Sequence, residues 1–124
     1  MEAKLKDFLR AQGAELVGIS AVENIPDYHP PRNVNDIIPG ARSVIVMAIP
    51  MLSGAIKCSS SRVATTQTKG MFEQLYRLSY QAGRYLERLG YRAAPIAPQI
   101  PIEMSRETKG FSGDLSLKHL AVAA

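Results

Sequence analysis

The sequence predicts an α/β domain, a small mixed sheet packed by helices. Three observations carry this expectation: a short apolar run at residues 43–50, a long stretch with apolar side chains at spacings of three and four, and glycines where helices have to stop. At 124 residues the chain is long enough for one domain, which would bury about two thirds of the surface of its unfolded state. A hydrophobic fraction of 46% with 21% charged residues is too apolar for intrinsic disorder.

The elements follow in order. Leu5, Phe8 and Leu9 recur at helical spacing between residues 3 and 11, with Lys4, Lys6, Asp7 and Arg10 around them, and Gly13 supplies a stop. Val17 and Ile19 suit a strand. Residues 24–40 hold Pro26, Pro30, Pro31 and Pro39 and read as a surface loop. Residues 43–50 lack polar alternation, so this strand is expected to be covered on both faces.

Residues 51–70, rich in Ser and Thr, show no clear period and read as an excursion. A long helix is expected over residues 71–89, with Phe72, Leu75, Leu78, Ala82, Tyr85 and Leu89 on one stripe and Gly90 closing it. Residues 91–96 read as a third, edge strand, and residues 99–113 as turn-like. A last helix would carry Leu115, Leu117, Leu120, Ala121 and Val122, capped by Asp114 or Ser116. Its abrupt stop suggests a fragment of a longer protein, one N-terminal α/β domain spanning residues 1–124.

Composition excludes several chemistries for the chain by itself. Its one cysteine, Cys58, cannot form an intramolecular disulfide, supply a set of zinc thiolates or hold an iron–sulfur cluster, which takes about four. The first residues are charged where a secretory signal would be apolar, and no apolar run approaches the roughly 18 to 20 residues of a membrane helix. A cytoplasmic location without membrane contact is the expectation. The net charge of +4 is spread along the chain and would aid approach to phosphates or acidic partners. No phosphate-cradling glycine loop, zinc-ligand pair or nucleophile with base and carboxylate is evident.

Three local groups have chemical potential. Tyr28, His29 and Arg32 place a phenol, an imidazole and a guanidinium on a Pro-stiffened loop. Cys58, near Lys57 and Arg62, is a reactive thiol or an inert one, and the adjoining Ser59, Ser60 and Ser61 bind an anion through hydroxyls and backbone amides or form a flexible linker. Asp114 stands at the start of the last helix, as an acid or simply as a cap, with Lys118 and His119 following it.

The order of four segments is more specific than any of them. Residues 13–20 (Gly-Ala-Glu-Leu-Val-Gly-Ile-Ser), residues 38–46 (Ile-Pro-Gly-Ala-Arg-Ser-Val-Ile-Val), residues 85–92 (Tyr-Leu-Glu-Arg-Leu-Gly-Tyr-Arg) and residues 113–122 (Gly-Asp-Leu-Ser-Leu-Lys-His-Leu-Ala-Val) resemble the N-terminal region of the epoxyqueuosine reductase-like iron–sulfur proteins. The resemblance covers nearly the whole chain. It implies a fold akin to nitroreductases and corrinoid-dependent reductive dehalogenases, an oxidoreductase activity, cobalamin, and two [4Fe-4S] clusters on a ferredoxin-like segment that follows. The Gly-Leu-Gly segment that the family places after the last helix is absent, as are the cluster cysteines. Within this resemblance Asp114 is the candidate proton donor, and Tyr28, His29, Arg32, Lys118 and His119 are the candidate cofactor-facing side chains. No metal ligand is assigned.

The expected partners are the missing ferredoxin-like segment, tRNA as one candidate beside an epoxide or related substrate not borne on it, and a second copy of the chain through an apolar patch on the last helix and third strand. Alone, the chain is expected to be inactive. The alternatives are a binding or assembly domain without catalysis, and an accessory domain that contacts tRNA.

Overall fold

A computed structural model describes residues 1–25, 34–96, 103–105, 110–112, 121–122 and 124. The first helix, α1 (Glu2–Ala11), turns Leu5 and Leu9 inward, and Leu9 is wholly buried. Glu2 in its first turn and Arg10 in its last suit the helix dipole. Lys6 pairs with Glu2 at 2.9 Å and Arg10 with Asp7 at 3.7 Å, contacts worth a few tenths of a kcal/mol each.

α1 ends in a Schellman motif. Gly13, at φ +113°, donates its N–H to the carbonyl of Arg10, and Ala14 donates to that of Leu9, both at 3.0 Å. The same motif ends α4 (Ser61–Arg88): Gly90, at φ +89°, donates to Glu87 at 3.0 Å, and Tyr91 to Leu86 at 3.1 Å. Both glycines read as stops in the sequence are therefore stops, because the left-handed backbone there disfavours any residue with a Cβ.

β1 (Leu16–Ala21) pairs with β2 (Ser43–Ala48). Glu15 N–H donates to Ala48 C=O and Val22 N–H to Arg42 C=O, each at 2.9 Å, which makes the pair antiparallel. A turn aims β2: Ala41 N–H reaches Ile38 C=O at 3.1 Å across Pro39 and Gly40, with Gly40 at φ +78°. Proline second and a left-handed glycine third make this a type II turn. β1 runs into a single 3₁₀ turn at Val22–Asn24, and a one-turn helix, α2 (Val34–Ile37), precedes Ile38. α3 (Ser53–Lys57) leads to α4. Late in the chain β3 (Glu103–Ser105) pairs antiparallel with β4 (Gly110–Ser112), with Met104 opposite Phe111.

The chain divides into two compact units, residues 1–17 with 47–96, and residues 18–46 with 97–124. In the first, α1 and α4 lie together. Their seam holds the buried Leu5, Leu9, Leu78 and Ala82, and Phe8 stacks on Tyr85 with ring centroids 4.7 Å apart. α3 also lies on α4. In the second unit, Ala124 passes so close to β1 that a Cβ on Gly18 would stand 2.8 Å from its carbonyl oxygen. Ser20 is buried there, and its hydroxyl donates to Ala21 C=O at 3.3 Å.

Four sequence expectations are corrected. Residues 91–96 form no strand; they run irregularly, with the Ala93 methyl 3.8 Å from where a Cβ on Gly83 would lie, so this segment is placed by the helix and not by a ladder. Among the described residues the sheet of β1 and β2 accordingly has two strands, not three, and β2 is half-buried along its middle instead of covered on both faces. The Ser/Thr-rich excursion is helical from residue 61, which lengthens α4 to 28 residues. The turn-like region at residues 99–113 contains the β3–β4 pair. No helix among the described residues is long and apolar enough to cross a membrane.

Candidate functional site

The side chains with the strongest chemical potential in the sequence are framed by described elements but lie outside the described residues. Tyr28, His29 and Arg32 fall between the 3₁₀ turn and α2. The ends of that frame are fixed, on one side by the Val22 to Arg42 bond and on the other by Ile38 N–H donating to Val34 C=O at 3.1 Å. Asp114, Lys118 and His119 follow β4, whose last residue is Ser112. Residues 121 and 122 are helical, as expected of the last helix, and Val122 is 90% exposed.

The third candidate group is fully described. Cys58 is exposed at the junction of α3 and α4, where its thiol donates to Ala55 C=O at 3.1 Å and lies 3.3 Å from Ser60 C=O. Both neighbours are acceptors. A nucleophilic thiolate is stabilised by donors and cations, and although Lys57 and Arg62 flank it in sequence, neither bonds to the sulfur. Ser60 is committed as well: its Oγ accepts from Val63 N–H at 3.4 Å and caps α4. The serine run thus starts a helix, and the thiol is part of the same turn.

One polar residue escaped the sequence reading. The Oε1 of Gln67 accepts the Leu52 N–H at 2.7 Å, tying the approach to α3 onto α4, while its Nε2 is buried with no partner. Since the carboxamide oxygen is fixed by that donor, the nitrogen cannot be exchanged for it. The sequence signal was present in principle: Ala64, Gln67, Met71, Leu78 and Ala82 fall on one side of a helix at 100° per residue, but a glutamine among threonines is weak as a marker of a buried face.

Among the described residues no group of three or more His, Cys, Asp or Glu side chains could hold a metal ion. A cubane cluster needs about four thiolates, and the whole sequence has one cysteine. The donor set of this chain does not fit a cluster, and no electron-transfer step can be derived through its own residues. Comparison with family models, with curated proteins and with solved structures returned no match for the chain.

Proposed function

We propose that the chain forms the N-terminal α/β part of a reductase resembling epoxyqueuosine reductase, with a fold akin to nitroreductases. Cobalamin would be bound by this part, and two [4Fe-4S] clusters by a ferredoxin-like segment outside it. The observation that carries this reading is the order of the four sequence segments. Three of them include elements the fold uses: the Gly13 stop with β1, the Pro39-Gly40 turn with β2, and the Gly90 stop of α4. Such a sequence order supports a family reading more than any single motif does, and fold alone would not give the activity.

Within this reading Asp114 is the proton donor. Reductive opening of an epoxide leaves negative charge on oxygen, and a carboxyl group held near it can deliver the proton. Tyr28, His29, Arg32, Lys118 and His119 are the side chains assigned to the cofactor, with tRNA as the substrate-bearing partner.

Two measurements test the proposal. The first reads the gene beyond codon 124 for two cysteine-rich, ferredoxin-like motifs; a stop codon without them overturns it. The second uses the protein carrying those motifs, reconstituted with iron, sulfide and cobalamin. There Asp114→Asn keeps a helix-capping side chain but removes the acid, so turnover should fall by at least about a hundredfold with thermal stability unchanged. Wild-type turnover in that variant would reduce Asp114 to a cap.

A further inference from the structure

α4 spans 28 residues, about 42 Å at 1.5 Å per residue. Its inner side is accounted for by α1 and α3. Its outer side has a composition that solvation alone does not call for. Lys69, Tyr76, Arg77, Tyr80, Arg84 and Arg88 are all exposed, and at 100° per residue they share an arc of about 120°. Tyr76 and Tyr80, one turn apart and about midway along the helix, are 51% and 50% exposed. Arg62 continues the arc toward the start of the helix.

Among the described residues, none of these five side-chain cations is engaged in an ion pair or hydrogen bond. Glu73 and Glu87 share the arc, and Glu73 lies four residues before Arg77 at the spacing that favours a pair, yet no bond joins them. A solvated helix face is ordinarily built from Lys and Glu. Here four of the five cations are arginines, whose planar fork matches a carboxylate through two hydrogen bonds. Tyr and Arg are also the residues most enriched where proteins meet.

Three occupants are conceivable, and charge separates them. A second copy presenting the same face would bring five cations and two carboxylates against the same set, which repels. A nucleic acid would bring phosphates against Glu73, in the middle of the arc, and Glu87, within it. A protein face bearing carboxylates meets the arginines and can set its own basic residues against the two glutamates. We infer that the outer face of α4 docks an acidic, helix-sized surface of another protein, with Tyr76 and Tyr80 as aromatic anchors along one side and Arg77, Arg84 and Arg88 as carboxylate clamps along the other. This interface is independent of the proposed reductase activity.

The probe is a fluorescein-labelled acidic helical peptide of about 20 residues, matching the length of the arc, with a glutamate on every turn, leucines between, and two lysines spaced to meet Glu73 and Glu87. Anisotropy is read at about 50 mM salt, where exposed charges are weakly screened. Binding is expected, with a loss of at least about tenfold for Arg77→Glu combined with Arg84→Glu, and about fivefold for Tyr76→Ala combined with Tyr80→Ala. Arg77→Lys with Arg84→Lys keeps the charge but loses the fork, and is expected to weaken binding by about threefold. Melting curves identify any variant that fails to fold, and the lysine pair then carries the test. The inference is overturned by no binding of the peptide, by binding indifferent to charge reversal, or by an oligothymidylate of about 20 nucleotides binding more tightly through the same side chains.

Discussion

The C-terminal half of α4 is held by burial, and its N-terminal half by hydrogen bonds. Between residues 75 and 88, Leu78 and Ala82 are buried in the unit that also holds Leu5 and Leu9, and Tyr85 stacks on Phe8. Between residues 61 and 74 no described side chain is fully buried. There the helix has Ser60 at its cap, a Thr68 hydroxyl bonded back to Ala64 C=O at 3.0 Å, and Gln67 holding the Leu52 amide. One continuous helix can thus be specified by two kinds of information. An apolar period marks only one of them, which is why the sequence showed the half that packs and hid the half that is capped.

Three substitutions probe this contrast, from the largest effect to the smallest. Leu9→Ala removes the most completely buried side chain and should cost about 2 to 5 kcal/mol in urea denaturation, with Leu78→Ala on the facing helix in the same range. A loss below about 0.5 kcal/mol at Leu78 would place the packed face elsewhere. Next, a double-mutant cycle between Phe8→Ala and Tyr85→Ala should return a coupling of about 0.5 to 1.5 kcal/mol for the stacked rings; additive losses would leave their 4.7 Å separation without energetic meaning. Last, Ser60→Ala removes the cap of the other half. Because that bond is long at 3.4 Å, the expected loss is about 0.5 kcal/mol, the low end for a cap, together with reduced helical circular dichroism. A loss as large as that at Leu9 would erase the distinction between the halves.

The legible parts of the fold were those where local chemistry and packing agree. Gly13 and Gly90 announced their helix stops because the backbone there needs a residue without a Cβ. The stripe through Leu78, Ala82 and Tyr85 announced the seam with α1. What stayed hidden depended on a neighbour. In residues 91–96 only Tyr91 and Ile96 suit a strand, but a strand also needs a partner for its backbone, and this segment instead lies beside Gly83. Glu103 to Ser105 lack strand-forming side chains and still pair with residues 110–112, since the ladder uses main-chain groups. Of the candidate site, Cys58 and the serine run were visible, but their function as a helix junction was not. It rests on carbonyl acceptors that no residue letter records.

The close approach of Ala124 to Gly18 has a consequence for the order of folding. These residues are 106 positions apart (124 − 18), and the seat has no room for a Cβ. Closing so long a loop costs about 4 kcal/mol in chain entropy, whereas both Schellman turns close within a few residues and form early. The contact therefore belongs to the last stage of folding, and Gly18→Ala should speed unfolding while leaving the folding rate nearly unchanged.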